Sequence, residues 1–145
     1  MPRTPRLALA LTSTLTAGLA LAVAPGTADA TPGSGVSAVT LFDYTVGDTP
    51  YVLREITIAP GGSTGWHEHP GTLHGVVTKG VLSHFDATCK SDGVYKAGQS
   101  VSEGSNYVHI GKNLGSVPMV LDVLYTNPAG QPLAIDEPNP GCDFQ

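Results

Sequence analysis

Turn-forming residues interrupt this sequence at short and regular intervals. Gly and Pro supply 18 and 12 of its 145 residues, well above the roughly 12% of an average protein. The runs between them are rich in β-branched and aromatic residues, as in 39–45, 51–58, 81–86 and 117–126. No window of about a dozen residues carries the 3.6-residue period of an amphipathic helix. The pattern predicts an all-β protein, either an antiparallel sandwich or a small barrel.

The first thirty residues have the organisation of a secretory signal peptide. Arg3 and Arg6 form a positively charged start, residues 7–24 are an apolar run, and residues 28–30 read Ala-Asp-Ala, a small-residue cleavage pattern. We expect cleavage after Ala30 and secretion of the protein; the alternative is an uncleaved N-terminal anchor. A flexible leader at 31–37, rich in Gly, Pro and Ser, would then precede one domain at 38–145.

The pattern of charged and apolar residues excludes two classes of partner. The net charge is -5, and the seven Lys and Arg residues are scattered, whereas nucleic-acid binding requires a clustered basic surface. After the first thirty residues no second apolar stretch is long enough to cross a bilayer. We therefore expect no nucleic-acid partner, and no membrane contact after signal cleavage.

Both cysteines, Cys89 and Cys142, lie in the segment that remains after cleavage. In an oxidising compartment two cysteines most simply form one disulfide. Free thiols or an intermolecular bridge are the alternatives. The predicted bridge would attach the tail at 138–141 to the domain.

Three of the five histidines form a suggestive arrangement. His67 and His69 are two apart on a short run, so on a strand both imidazoles point to one face and Glu68 points to the other. His109 lies in a second turn-bounded strand. His84 has no comparable support, and we expect it to be a surface or packing residue.

These histidines lie within a pattern that resembles the two motifs of the cupin family. The first motif is Gly, five residues, His-x-His, three or four residues, usually Glu, six residues and Gly; the second is Gly, five residues, Pro-x-Gly, two residues, His, three residues and Asn. In register here are Gly61, His67, His69 and Gly80, and then Gly98, Gly104, Asn106, His109 and Asn113. The resemblance covers 61–113. It implies an antiparallel jelly-roll barrel with His67, His69 and His109 as ligands of one metal ion near its mouth.

Two departures from the second motif concern its turn. Gly104 stands where the motif has Pro, and Asn106 stands where it has Gly. We expect the turn to survive, because Asn is the residue after Gly that best accepts a left-handed backbone. Asn113 is expected to hold this turn rather than to touch a substrate.

A more serious departure is the missing Glu of the first motif. Its position is Leu73 when counted back from Gly80, which leaves a three-His site. Counted forward from His69 it is His74, which would supply a fourth nitrogen ligand. We favour Leu73, because Gly80 fixes the following strand, and keep His74 as a candidate ligand.

The resemblance implies one divalent transition metal as cofactor: Zn, Cu, Ni, Mn or Fe. Three imidazoles plus solvent are typical of an open, reactive site. Without the carboxylate, the donor set favours zinc, copper, nickel or ferrous iron over manganese. The alternative is a barrel that has lost its metal and kept the histidines as polar lining.

Three functions are compatible with these residues. The first is a metal-dependent oxygenase acting on a small organic molecule, in a pocket to which we assign Tyr107, Phe85 and Val77, together with Leu82 and Val101. This oxygenase would lack an evident general base, because Glu68 should face away from the pocket and Glu103 should lie in a turn. The second is a non-catalytic module that binds a metal or small ligand outside the cell. The third, metal-free epimerisation of a sugar nucleotide, conflicts with export.

Resemblance to cupins also implies a homodimer formed through edge strands.

Overall fold

Residues 30–145 are described by a computed structural model of the protein. The predicted signal peptide lies almost entirely outside this range. Ten strands follow in chain order: β1 (Ser34–Val46), β2 (Thr49–Ser63), β3 (His67–Glu68), β4 (Thr72–Lys79), β5 (Val81–Asp86), β6 (Ser91–Lys96), β7 (Ser100–Glu103), β8 (His109–Lys112), β9 (Met119–Thr126) and β10 (Ile135–Asp136). Over this range the chain contains no helix with the length and hydropathy that crossing a bilayer requires.

All strand pairs are antiparallel, and the strands close into a nearly complete barrel. One wall runs in the order β1-β2-β9-β4-β7, and the other contains β10, β3, β8, β5 and β6. A single residue pair, Ser63 with Lys112, joins β2 to β8 and connects the two walls. The predicted all-β antiparallel barrel is confirmed.

The barrel interior is built by residues that alternate along each strand. In β9 every second residue from Met119 to Tyr125 is buried, and β4 buries Leu73, Gly75 and Val77 in the same way. This is the two-residue period of a strand with one face on a core. The buried apolar cluster consists of Val52, Ile58, Leu73, Val77, Leu82, Val101, Met119, Leu121, Val123 and Tyr125.

The N-terminal segment differs from the predicted flexible leader. β1 begins at Ser34, inside the segment 31–37. Thr31 is buried: its amide N–H donates to the carbonyl of Glu137, and its hydroxyl oxygen accepts from the amide N–H of Trp66 at 2.8 Å. Backbone hydrogen bonds to distant residues hold this segment, and its composition gave no sign of them.

The disulfide prediction is confirmed, because Cys89 and Cys142 are bonded. The bridge attaches the C-terminal tail to the barrel. In this tail the Phe144 ring packs on Phe85 and on Trp66. Its centroid lies 4.9 Å from that of the Phe85 ring and 6.0 Å from that of the Trp66 ring.

Candidate metal centre

Four imidazoles and one carboxylate converge inside the barrel. His67 on β3 is paired across the strands with His109 on β8, and His69 follows β3 by one residue. His84 lies on β5, and Glu103 is the last residue of β7. All five side chains are buried, with at most 9% of their surface exposed. The structure thus brings together the three predicted ligands and adds two residues to them.

Backbone carbonyls hold each of the three predicted ligands in one orientation. The Nδ1 atoms of His67, His69 and His109 lie 2.9, 2.7 and 2.7 Å from the carbonyl oxygens of Gly65, Leu133 and Tyr107. A carbonyl oxygen can only accept, so each Nδ1 donates its N–H and each Nε2 of a neutral ring carries a lone pair. Fixing the ring through its second nitrogen is the usual arrangement of a metal-binding histidine.

Two turns with left-handed backbone residues hold the chain beside His67 and His69. Gly65 has a φ of +75°, and a Cβ at this position would lie 2.1 Å from the carbonyl oxygen of Thr31. Only glycine therefore fits the turn whose carbonyl accepts from His67. Asn106 has a φ of +55°, as expected for the turn of the second motif, and its amide N–H donates to the carbonyl of His69 at 2.9 Å.

Glu103 places its carboxylate among the imidazole nitrogens. Its Oε2 lies 3.2 Å from Nε2 of His69 and 2.9 Å from Nε2 of His109, and its Oε1 lies 3.2 Å from Nε2 of His84. Within residues 30–145 none of these three buried Nε2 atoms has a hydrogen-bond partner. Lone pairs of nitrogen and oxygen at such distances repel each other unless a positive charge lies between them. A proton on the ring or a bound metal ion supplies that charge, and the donor set of imidazoles and one carboxylate fits a divalent transition metal.

The geometry divides these residues into two groups that share His109. The ligand atoms of His67, His69 and His109 lie within 4.8 Å of one another, and so do those of His84, Glu103 and His109. Burial, reinforced by His109 and His69, lowers the pKa of His67 from 6.5 to about 3, so this imidazole is neutral at pH 7. Burial opposes ionisation of Glu103, but contacts with His109, His69 and His84 outweigh it and hold its pKa well below the ordinary value. His67 therefore offers a neutral nitrogen and Glu103 an ionised carboxylate.

His84 differs from the surface or packing residue expected from the sequence. Its Nδ1 lies 2.7 Å from Oδ1 of Asp92, whose other carboxylate oxygen accepts from the Tyr107 hydroxyl. Burial alone would lower the pKa of His84, but Glu103 and Asp92 outweigh it and raise that pKa. Alternation could have revealed this residue, because His84 is two positions after the buried Leu82 on β5.

Glu103 also differs from its expected place in a turn. It ends β7 two residues after the buried Val101, so it lies on the inner face of that strand. Its partner across the antiparallel pair with β4 is Leu73. The carboxylate absent from the first motif is thus supplied by the neighbouring strand.

His74 is not brought to the site. It is exposed on the outer face of β4, where its Nδ1 lies 2.9 Å from the hydroxyl oxygen of Ser102. Leu73 faces inward with 3% of its surface exposed. Side chains alternate between the two faces of β4, so Leu73 points inward and His74 points outward, as the favoured Leu73 register requires.

Of the five residues assigned to the pocket, Leu82 lines a cavity beside the histidines, whereas Val77, Phe85, Val101 and Tyr107 do not line it. Val77 is buried in the apolar cluster, and Phe85 points to the outer side of β5, against Phe144. The Tyr107 hydroxyl is bound to Asp92, and its ring stacks on His109 at 5.4 Å. Asn113 holds its turn as expected, donating from Nδ2 to the carbonyls of Ile58 and Val117 at 2.9 and 2.8 Å.

Two cavities meet at the histidines. The inner cavity has a volume of about 40 Å³ and lies among His67, His69, His84, Glu103, His109 and apolar side chains that include Leu73 and Leu82. A water molecule needs about 10–15 Å³ of such volume, so this space has room for an ion with a few waters. The outer cavity has a volume of about 260 Å³ and is also lined by His67 and His69. A bound organic molecule would have to occupy the outer one.

Comparisons with known proteins support the fold. No protein-family model and no curated protein matches the sequence. Among solved structures, a cupin-like protein from Thermotoga maritima has a TM-score of 0.59 at 21% identity, covering 79% of this chain and 84% of that one. A cupin domain from Bordetella pertussis has a TM-score of 0.55 at 20% identity, with 64% and 94% covered.

A recombinant oxalate oxidase in complex with glycolate has a TM-score of 0.57 at 23% identity. The match covers 70% of this chain and 54% of the oxidase, so the chain spans about half the length of that protein. At these identities the likeness is one of fold. The chain has the cupin fold.

Proposed function

We propose that this cupin-fold protein is an exported enzyme that holds one divalent transition metal by His67, His69, His109 and Glu103 and oxidises a small organic molecule. The observation that carries the proposal is the convergence of buried Nε2 lone pairs on the Glu103 carboxylate without hydrogen bonds among the described residues. A bound metal ion would stabilise such a set, because it binds the nitrogen and oxygen lone pairs together.

Export is supported by the pattern of residues 1–30 and by the disulfide. Disulfides persist in oxidising compartments and are rare in the cytosol. The Cys89–Cys142 bond therefore agrees with secretion after cleavage at Ala30.

Glu103 changes the choice of metal. A hard anionic oxygen beside imidazoles restores manganese and iron as candidates next to zinc, copper and nickel. A bound metal would supply Lewis acidity and, for a redox-active ion, a route to dioxygen chemistry. The backbone carbonyls of Gly65, Leu133 and Tyr107 keep the imidazoles aimed at the ion. Leu73, Leu82 and Leu121 line the inner cavity and limit its access to water.

The substrate class follows from the room available. The outer cavity of about 260 Å³ beside His67 and His69 suits a small organic molecule. The oxalate oxidase of similar fold was solved with glycolate, which is a small organic molecule.

The metal content of purified protein tests the metal site. We expect about one equivalent of a transition metal in the wild type and almost none in His67→Ala or His109→Ala, with unchanged circular dichroism. His74→Ala is the matched control, because His74 is exposed and outside the cluster. A wild type that stays metal-free after reloading, or variants that keep the metal, would contradict the assignment.

A second candidate is a module that binds a metal or ligand without turnover. It is favoured by the inner cavity, whose roughly 40 Å³ leaves little space for a reacting molecule next to the ion. Metal-dependent oxygen consumption with a candidate substrate supports the enzyme. Saturable binding without product after long incubation supports the module.

The proposal includes a homodimer formed through β1. This strand pairs with β2 on one side, and none of the strands in 30–145 pairs with its other edge. Large apolar side chains are exposed along it, among them Val39, Leu41, Tyr44 and Val46. A long exposed apolar edge favours pairing with another chain. Light scattering after size exclusion should show twice the chain mass, and Leu41→Lys should return it to the monomer.

A further inference from the structure

Arg54 carries an unpaired charge on the inner face of the barrel. On β2 it lies between the inward positions Val52 and Ile56, opposite Thr40 of β1 and Val123 of β9. Its Nε atom is buried and has no hydrogen-bond partner in the part of the chain that the structure describes. No carboxylate of that part lies within 4.0 Å of its guanidinium. Arg54 as a whole is only partly buried, and its terminal guanidinium nitrogens are open to solvent and therefore to a ligand.

Arg54 and the metal-binding histidines face the same space. Arg54, His67 and His69 all line the outer cavity, whose volume is about 260 Å³. The remaining wall includes the apolar side chains of Val36, Ala38 and Ile56. A guanidinium at one side, imidazoles at another and apolar surface between them form a site with two polar ends.

The charges around this cavity favour an anion. Asp136 is the one acidic residue among those lining the outer cavity, and it is exposed, so solvent screens its charge. Glu103 does not line this cavity, and its carboxylate oxygens lie 2.9–3.2 Å from the Nε2 atoms of His69, His84 and His109. With a divalent ion at the histidines, the outer cavity is net positive. Arg54 also borders a cavity of about 490 Å³ on its other side, which Asp43 lines and where no histidine lies.

We propose that Arg54 binds the carboxylate of a small organic acid whose apolar body fills the outer cavity toward the metal centre. The guanidinium fork matches a carboxylate with two parallel hydrogen bonds. The cavity is slightly smaller than the roughly 300–1,000 Å³ that drug-sized ligands occupy, so the acid has few carbon atoms. This inference rests on the proposed function for what happens at the metal end, whereas the contact with Arg54 stands independently of it.

Two probes of similar shape, 4-fluorobenzoate and 4-fluorobenzamide, differ in the negative charge of the carboxylate. Their binding is measured by the line broadening of the fluorine NMR signal, with zinc-loaded and with metal-free protein. We expect the wild type to bind the benzoate at least tenfold more tightly than the benzamide. Arg54→Met should remove this preference, weaken benzoate binding at least tenfold and leave the zinc content unchanged. Lys79→Met is the matched control, because Lys79 is an exposed cation on β4 outside the cavities.

Stability supplies a second readout. Methionine fills a similar volume without charge, so Arg54→Met should melt at the wild-type temperature or above it if Arg54 serves binding. A melting temperature lower by several degrees would assign Arg54 a structural role and overturn the inference. Arg54→Gln is a second variant for the binding measurement if Arg54→Met does not fold.

Further outcomes separate this inference from the proposed function. Equal binding of the benzoate by wild type and Arg54→Met, or equal binding of both probes by the wild type, would overturn it. Displacement of the benzoate by a lower concentration of inorganic phosphate would show a phosphate site and overturn the carboxylate assignment. Failure to bind zinc would count against the metal centre alone, and the preference for benzoate in metal-free protein would still decide the role of Arg54.

Discussion

Leu73 of β4 faces Glu103 of β7 across an antiparallel pair, and both side chains point into the barrel. Leu73 occupies the position at which the first motif usually has its carboxylate. Side chains opposite each other in such a pair have Cβ atoms about 4.5–5.5 Å apart. A carboxylate on either strand can therefore reach the same histidines.

This relationship predicts that the carboxylate can be moved between the two strands. Glu103→Leu should weaken metal binding by about tenfold or more, because the anionic oxygen donor is lost. Adding Leu73→Glu to that variant should recover much of the affinity. Competition with a chromophoric chelator measures both, and Glu55→Leu, on an exposed residue of β2, is the control. A double variant no better than Glu103→Leu would contradict the equivalence of the two positions.

His84 is expected to support Glu103 rather than to bind the metal. We predict that His84→Gln and Asp92→Asn each keep about one equivalent of metal but weaken its affinity by about 10–100-fold, the usual effect of losing a partner of a metal ligand. Metal content and chelator competition on the same samples separate the two quantities. Complete loss of metal in His84→Gln would make His84 a ligand itself.

Gly65 is predicted to be irreplaceable in the turn before His67. Gly65→Ala should destabilise the protein by several kcal/mol, because its Cβ would lie 2.1 Å from the Thr31 carbonyl oxygen. Gly130 has a similar φ of +77°, and a Cβ added there would have no atom within 4 Å, so Gly130→Ala should cost only about 1–2 kcal/mol. Urea unfolding of both variants gives the comparison. Similar losses in the two would show that backbone strain alone explains the effect.

The disulfide is predicted to stabilise the fold and to hold Phe144 on Trp66. Closing a loop between residues 53 apart contributes about 4 kcal/mol in the loop-entropy treatment. Cys142→Ser with Cys89→Ser should lower the free energy of unfolding by about that amount and change the tryptophan emission, since Trp66 is the single tryptophan. An unchanged emission spectrum would mean that the tail stays in place without the bond.

Acid should destabilise the metal-free protein through His67. The pKa of His67 is about 3 in the folded protein, against an ordinary value of 6.5. Between these values the unfolded chain binds a proton that the folded protein does not, so stability falls as the pH drops from 6.5 toward 3, by up to about 1.4 kcal/mol per pH unit. His84, whose pKa is raised, acts in the opposite direction.

Comparison with His67→Asn isolates this contribution. In chelator, the midpoint of urea unfolding should fall more steeply with decreasing pH for the wild type than for the variant. Equal slopes would show that His67 is protonated in the folded protein over this range.

Local patterns were sufficient for much of the fold and for part of the site. The two-residue period and the frequent turns predicted an all-β antiparallel sandwich or barrel, because that period depends only on neighbours along the chain. The resemblance to the cupin motifs implied the barrel. The spacing of His67 and His69 placed both on one face for the same reason. The left-handed Asn106 and the Cys89–Cys142 bond were also predicted correctly.

Only the tertiary structure decided which distant side chains meet. Glu103 and His84 join the histidines because of the register of β7 with β4 and of β5 with β8. Arg54 shares a cavity with His67 because the barrel closes. Register depends on hydrogen bonds between residues far apart in sequence, and a shift of one residue turns every side chain of a strand to the other face. For this reason the sequence by itself determined the strands and the histidine motif, whereas the packed barrel determined the carboxylate, the charge and the space beside them.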